Sequence, residues 1–282
     1  MKKIITAIAI AAFGATAYAQ EAAVTQPAPE KDFVIGAKFD FESCYVTSGK
    51  RIVNENTQTT ISFKYFVPQS SDIGITPYAE LFWMSPTDNE RKGHSLSDEG
   101  SFKIGSEITI GEDSGIDFGY KFTGWSDRES SAGMNRADLN RDNSIYLGVS
   151  HVFTLSEDIE EANFTGFAYV YYDFNCEQIT YEIGVKKSVS FDELTFSAAA
   201  TYGYVDANKA NGDQRRTGTI DGDNDYGYIA FSVDATYQIN SGTDIGIGGR
   251  YAYNNDGDDE PGFNGDNKDS TFWWGAWINF RY

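Results

Sequence analysis

The sequence predicts an all-β protein, a transmembrane antiparallel up-and-down β-barrel of about twelve strands with short periplasmic turns and long external loops. Apolar and polar residues alternate along segments close to ten residues long, which is the period of a strand with two different faces. Short and long polar connections alternate between these segments. The composition agrees, with 15% aromatic residues, 28 Gly and only 6 Pro, because aromatic residues suit a pleated surface and proline does not.

The mean hydropathy of −0.43 does not contradict a membrane barrel. Only every second residue of a barrel strand faces lipid, and polar loops lower the average further. The formal net charge is −20. Nucleic acid is therefore excluded as a partner, because phosphate binding needs a basic surface.

The N-terminus has the pattern of a secretory signal. Lys2 and Lys3 precede an apolar run at 4–14, and a small-x-small cleavage site follows at Ala17-Tyr18-Ala19. The run is too short for a membrane-spanning helix, and no later run resembles it, which excludes a helical membrane protein. The sequence thus predicts a signal peptide at 1–19, a periplasmic N-terminal tail at 20–31 and one outer-membrane barrel domain at 32–282.

The strands follow one another along the whole barrel domain. Connections after even-numbered strands are short and those after odd-numbered strands are long, apart from the short one after strand seven, which is the pattern of periplasmic turns and external loops. Pro77 lies inside strand three and predicts a bulge or a late strand start, because it cannot donate to the ladder. The predicted strands lie near 32–43, 57–67, 73–84, 102–110, 116–122, 145–155, 164–174, 179–189, 194–204, 229–239, 245–253 and 271–282.

The last strand, TFWWGAWINFRY, alternates strictly and ends on an aromatic residue. It resembles the C-terminal recognition strand of bacterial outer-membrane barrels. That resemblance implies an assembly signal at Phe272, Phe280 and Tyr282, the barrel assembly machinery and outer-membrane lipid as partners, and location in the outer membrane of a Gram-negative bacterium. The stretch by itself also fits the final strand of a secreted β-sandwich.

A second resemblance lies after the first strand, in the stretch YVTSGKR at 45–51. It is similar to the Tyr-x-x-x-Gly stretch that opens a family of uncharacterised proteobacterial outer-membrane barrels. That family usually has Arg before the Gly, where this chain has Ser48. The resemblance implies a barrel fold and no particular activity.

Charged residues of both signs fall on the face opposite the apolar stripe, which is the predicted lumen. Charges inside a barrel must be paired or hydrated. The pattern allows two interpretations: the wall of a narrow aqueous channel, or an interior closed by salt bridges and by the aromatic residues Phe167, Tyr169, Tyr171, Trp273 and Trp277. The predicted lumen residues are Lys38, Asp40, Glu42, Lys64, Glu80, Lys103, Glu107, Asp117, Lys121, Glu182, Lys186, Asp234, Arg250 and Arg281.

Residues for catalysis are scarce. His94 and His151 are the two histidines, and His151 is in phase with the lipid-facing residues Val149 and Phe153. Outer-membrane phospholipases place a Ser two residues from such a His, and neither position holds Ser here. The sequence predicts a protein that is not an enzyme and that has no cofactor.

Three acidic loops place carboxylate or amide oxygens at alternate positions, which suits Ca²⁺. The similarity to an EF-hand loop ends at the sixth position, where Asn143 and Tyr226 replace Gly. We interpret the loops as solvated acidic segments, with Ca²⁺ binding as the alternative and no metal site assured. Their residues are Asp138, Asn140 and Asp142; Asp221, Asp223 and Asp225; and Asp256, Asp258 and Glu260.

Cys44 and Cys176 both follow outward-going strands, so both belong to the long-loop end. The sequence leaves open whether they are bonded. For the whole protein we expect a narrow passive channel for small solutes or ions, modestly selective for cations because of the acidic mouth. The alternative is a closed structural or surface-binding barrel with no transport activity.

Overall fold

The computed structural model describes residues 32–53, 55–67, 73–87, 98–125, 141–154, 163–175, 177–206, 225–255 and 270–282. The predicted signal peptide and N-terminal tail lie outside these residues. Within them, no helix is long and apolar enough to cross a membrane.

Fourteen strands form in the described residues. All pairing is antiparallel, and twelve of the strands close into one barrel. The prediction of a twelve-stranded up-and-down barrel is confirmed. The strands are β1 (Phe33–Glu42), β2 (Tyr45–Thr47), β3 (Lys50–Val53), β4 (Asn56–Tyr65), β5 (Ile73–Pro86), β6 (Glu99–Ile110), β7 (Ser114–Trp125), β8 (Arg141–Phe153), β9 (Phe164–Asp173), β10 (Gln178–Phe191), β11 (Leu194–Asp206), β12 (Tyr226–Asn240), β13 (Thr243–Asn254) and β14 (Ser270–Arg281).

The barrel closes where the first strand meets the last. β1 pairs with β14 from Gly36↔Arg281 to Glu42↔Gly275. Tyr282 continues the seam, because its amide donates to the carbonyl of Ile35 at 2.9 Å. Closure leaves neither β1 nor β14 as a free edge, which a strand in lipid could not tolerate.

The outward face is an apolar belt with an aromatic girdle at each end. Aliphatic residues at mid-height, such as Leu147, Ile183 and Val233, are exposed. Aromatic residues lie above and below them, as expected where a transmembrane barrel meets the two membrane interfaces. The girdles contain Tyr202, Tyr204, Tyr251, Tyr253 and Trp274 at the external end, and Tyr65, Phe153, Phe191, Tyr237 and Tyr282 at the periplasmic end.

Pro77 is accommodated where the β4–β5 ladder stops. The regular pairing of β4 with β5 ends at Lys64↔Tyr78, so Pro77 lies just beyond the last pair. Beyond it, the amide of Val67 donates to the carbonyl of Ile75 at 3.2 Å. On its other side, Pro77 stays in register opposite Ser106 of β6. The predicted bulge or late strand start is therefore wrong: β5 begins at Ile73, and the contact of Val67 with Ile75 keeps the register of Lys64↔Tyr78 across the proline.

The connection between β1 and β4 differs from an external loop. It contains the two strands that are not part of the barrel, β2 and β3, which pair with each other. Residues 44–49 are buried. We call residues 44–53 the lumen hairpin, because their contacts, described below, are with the inward faces of the barrel strands.

Candidate functional site

The structure places the fourteen predicted lumen residues in the inward phase of their strands. They are not uniformly accessible. Most are buried at mid-height and toward the external end, whereas the side chains of Lys64 and Arg281, at the periplasmic end, are 32% and 26% exposed. We call the partly accessible periplasmic end of the lumen, at Lys64 and Arg281, the periplasmic vestibule; the interior further out is filled.

One charged cluster lies on the wall formed by β12, β13, β14 and β1. Arg250 is at its centre, with Nε 3.7 Å from Glu42 Oε1 and an Nη atom 3.3 Å from Asp234 Oδ1. Lys38 Nζ is 2.5 Å from Asp40 Oδ1. The guanidinium and the ammonium group both lie over the Trp277 ring, at 5.6 Å and 5.2 Å from its centroid. Charges buried in this way need such partners, since an isolated charge would be costly.

A second cluster, on β5 to β9, is organised by tyrosines. The hydroxyl of Tyr78 donates to Asp117 Oδ1 at 2.8 Å, and the hydroxyl of Tyr169 donates to Asp117 Oδ2 at 3.3 Å. Tyr78 also bonds to the hydroxyl of Tyr146. Lys103 Nζ lies 5.1 Å and 4.8 Å from the centroids of the Tyr78 and Tyr146 rings. Cation–π and hydroxyl contacts here replace the direct ion pairs of the first cluster.

The register puts like charges opposite each other on β6 and β7. Lys103 faces Lys121, and Glu107 faces Asp117. Such pairs are unfavourable by themselves. Their other neighbours compensate, because Lys103 also faces Glu80 of β5, and Lys64 Nζ is 3.0 Å from Glu107 Oε1.

The lumen hairpin packs firmly on the β12–β14 wall. Cys44 and Val46 form one apolar cluster with Ala230, Ala252 and Trp273, and Val46 is fully buried at 0% exposure. The small alanines give the hairpin backbone room to approach the wall.

The turn of the hairpin fits closely at the same wall. Gly49 has a φ of +75°, and a Cβ there would collide with the Cβ of Tyr228. Asn254 Nδ2 donates to the Gly49 carbonyl at 2.9 Å. Both the backbone conformation and the space at this position thus require glycine.

The same hairpin reaches the nearly opposite wall through Tyr45. Its hydroxyl donates to Glu99 of β6 at 3.3 Å, and its ring stacks on Phe82 of β5 with a centroid separation of 6.5 Å. A segment that contacts β5, β6 and β12 to β14 spans the lumen near its external end.

A small cavity of about 30 Å³ remains beside the hairpin. That is room for about one or two water molecules. Every lining residue carries a polar group, and the turn residue Ser48 is one of them. The lining residues are Ser48, Lys103, Lys121, Ser144, Tyr146, Tyr171, Asp173, Gln178 and Thr180.

Sequence reasoning missed four carboxylates of the lumen: Glu99, Asp142, Asp173 and Asp244. All four are buried and in phase with inward residues. Glu99, Asp142 and Asp173 lie within two residues of a strand end on the external side, where a polar residue is hard to separate from the adjoining loop. Asp173 already falls inside the predicted strand 164–174, and extending the other alternations by one inward position reaches Asp244 and by two reaches Glu99 and Asp142. With them, carboxylates outnumber cations on the described wall.

The prediction that Asp142 lies in an external loop is wrong. It is the second residue of β8 and faces inward, because the alternation of that strand begins before Ile145. Asp225 follows the loop and accepts a hydrogen bond from the hydroxyl of Tyr204 at 3.2 Å. The other seven candidate calcium ligands lie outside the described residues, and calcium binding there stays a prediction.

His151 has a serine partner that spacing along one strand could not reveal. It is directly opposite Ser114 of β7, and the Ser114 Oγ is 2.9 Å from His151 Nδ1. The pair is on the outward face near the periplasmic end. Among the described residues, no carboxylate is bonded to this ring to orient it as a catalytic triad requires. His94 lies outside the described residues.

The two cysteines are only partly described. Cys44 is buried in the apolar cluster with Trp273, inside the lumen and not in a loop outside the barrel. Cys176 is outside the described residues. The residues of the implied assembly signal lie on the outward face of the last strand, where Phe272 and Tyr282 are exposed.

Comparison with known proteins identifies the fold. No family model matches the sequence, and no curated protein matches it. The COG4313 outer membrane channel from Pseudomonas putida F1 matches over 92% of this chain and 100% of its own, at 11% identity and a TM-score of 0.57. At this identity the match shows the fold alone: the chain has the fold of an outer-membrane β-barrel.

Two further solved structures are similar to a lesser degree. The beta domain of the Bordetella autotransporter Brka covers 89% of this chain and 98% of its own, at 6% identity and a TM-score of 0.47. The NanC porin matches over 87% of this chain and 98% of its own, at 10% identity and a TM-score of 0.47.

Proposed function

We propose that this protein is a barrel of the Gram-negative outer membrane that passively conducts small solutes or ions, with a modest preference for cations. The observation that carries the proposal is the lumen wall, whose inward face carries charged groups along its height, from Lys103 and Lys121 at the external cavity to the partly exposed Lys64 and Arg281 at the periplasmic end. A barrel with a purely structural role could be filled with apolar side chains at lower cost.

The preference for cations is supported by the excess of carboxylates on that wall. The predicted external loops add Asp256, Asp258, Asp259 and Glu260 at one mouth. Carboxylates around a pore attract cations and repel anions. Screening over about 8–10 Å at physiological salt keeps this preference modest.

The remaining predicted properties belong to the same proposal. The partners are outer-membrane lipid, the barrel assembly machinery and the conducted solutes, and the protein has no catalytic activity and no cofactor. The channel named among the similar structures is in accord with this proposal through its fold. The Ser114–His151 pair gives no reason to propose catalysis, since it lacks an orienting acid among the described residues.

A closed barrel is the second candidate, and the lumen hairpin is the observation that favours it. The hairpin spans the lumen and leaves a cavity of about 30 Å³ beside it. If water and ions cannot pass there, the barrel would act as a structural or surface-binding element.

Planar-bilayer recording of the refolded protein distinguishes the two candidates. A channel gives discrete conductance steps and a reversal potential shifted toward cations. Neutralising residues 256, 258, 259 and 260 as amides should reduce that shift. The comparison variant neutralises Glu112, Asp113, Asp192 and Glu193, which are exposed in periplasmic turns, and should reduce it less. Silence in many insertions of folded protein contradicts the channel.

A further inference from the structure

The lumen hairpin crosses the inside of the barrel near its external end, although it belongs to the connection between the neighbouring strands β1 and β4. Its contacts to the β12–β14 wall are close and involve the backbone, at Gly49 and at the buried Val46. Ser43, just before it, is fixed to the last strand, since its amide donates to the carbonyl of Trp274 at 2.9 Å and its Oγ accepts from the Trp274 amide at 3.0 Å. The hairpin is therefore held from the side where the barrel closes.

Tyr45 makes the contact with the opposite wall that the described side chains of the hairpin show. Tyr45 reaches Glu99 and Phe82. Beside Tyr45, the small cavity separates the hairpin turn from the wall that strands β6 to β10 form. The cavity of about 30 Å³ that remains there is bounded by Ser48 on the side of the hairpin and by Tyr146 and Tyr171 on the side of the barrel wall.

The barrel wall is complete without the hairpin. Glu42 at the end of β1 pairs directly with Asn56 at the start of β4, so a short turn could join these strands. A barrel of about eight strands has an interior that side chains just fill, and a barrel of twelve strands encloses more space. The extra space in the external half of this barrel is the space that the hairpin fills.

We propose that the lumen hairpin sets the size limit of the channel, and that Ser48, Tyr146 and Tyr171 form the constriction. This inference rests on the proposed function. Water and small inorganic ions pass between the hairpin turn and the β6–β10 wall, and sugars do not. Without the hairpin, the same barrel admits solutes of sugar size.

The test replaces residues 44–54 with Gly-Gly, so that Ser43 and Glu55 connect Glu42 to Asn56 by a short turn. Folding is checked by the difference in gel migration between boiled and unboiled samples. The readouts are single-channel conductance and the swelling of proteoliposomes in arabinose and in raffinose. The deletion should raise the conductance severalfold and allow arabinose, then raffinose, to enter.

A point variant tests the same inference if the deletion does not fold. V46D places a carboxylate in the apolar cluster of Cys44, Ala230, Ala252 and Trp273, where an unpaired charge is strongly unfavourable. It should drive the hairpin out of the lumen and increase conductance as the deletion does. T47S, a conservative change in the same hairpin, is the control and should leave the conductance as it is.

The outcomes separate this inference from the proposed function. If the wild type conducts ions and both variants keep its conductance and its exclusion of sugars, the inference is wrong and the channel stands. If the folded wild type and the folded variants are all silent, both are wrong. If only the variants conduct, the hairpin is confirmed as the obstruction, and the wild-type barrel is closed.

Discussion

The two sides of the lumen differ in what they offer the hairpin. The β12–β14 wall presents Ala230, Ala252 and Gly275 between larger residues, and the hairpin lies against it. The β6–β10 wall presents Tyr146 and Tyr171, whose ring centroids are 6.1 Å apart. The difference teaches that small residues set among large ones, such as Ala230 and Ala252 beside Trp273, make room for a segment that paired tyrosines do not leave.

The largest expected effect comes from removing the central cation of the occupied side. R250M leaves Glu42 and Asp234 buried without their shared partner. Loss of one member of a buried pair costs about 3–5 kcal/mol. We expect that decrease in the free energy of unfolding, measured by urea titration of the barrel in lipid vesicles.

The matched control for this change is K64M in the periplasmic vestibule. Lys64 pairs with Glu107, but its side chain is 32% exposed. We expect a loss of about 1 kcal/mol or less. Equal losses for the two variants would contradict the distinction between a filled external half and a partly accessible periplasmic end.

A smaller effect is expected at the hairpin turn. G49A introduces a Cβ at a φ of +75° and against Tyr228. G111A introduces one at a φ of +63° with open space around it. Both variants should lose about 1–2 kcal/mol from the backbone conformation. Only G49A should lose additional stability and also increase the single-channel conductance. Its new Cβ would collide with Tyr228, so the hairpin must move, whereas a Cβ at Gly111 has open space.

The smallest effect is expected at the contact with the opposite wall. Y45F removes the hydroxyl that donates to Glu99 but keeps the ring on Phe82. We expect a loss of about 0.5–1.5 kcal/mol and larger fluctuations of the open-channel current. Y204F removes an exposed hydroxyl bonded to Asp225 outside the barrel and should leave the current noise unchanged. Identical noise in both variants would remove Tyr45 as a hairpin anchor.

The barrel could be predicted from sequence because its signal is local. Alternation along β14 and loop parity both follow from the two-faced wall of a membrane barrel. The lumen hairpin could not be predicted in this way. Its position depends on contacts such as Gly49 with Asn254, which are distant in the chain, and a short Tyr-Val-Thr strand between polar residues has the composition of an external loop.

The candidate site was predictable as a list of inward residues but not as an arrangement. Counting alternate positions located Lys103 and Glu107 on one strand. It could not tell that Lys103 faces Lys121 and that Glu107 faces Asp117, because a shift of the register by two residues keeps the same inward residues but changes which of them face each other. Whether the lumen is filled depends on the lumen hairpin, whose residues Cys44 and Val46 pack on the barrel wall. The sequence assigned these residues to a loop.

The seam between β1 and β14 has a consequence for the order of folding. Hairpins of adjacent strands can form early, whereas this seam joins the two ends of the domain and carries the largest loop-closure entropy. The hairpin contacts residues of β12, β13 and β14, which are made last in the chain. We therefore expect the lumen hairpin to dock only as the barrel closes, so that a barrel interrupted before closure would still have a hydrated interior.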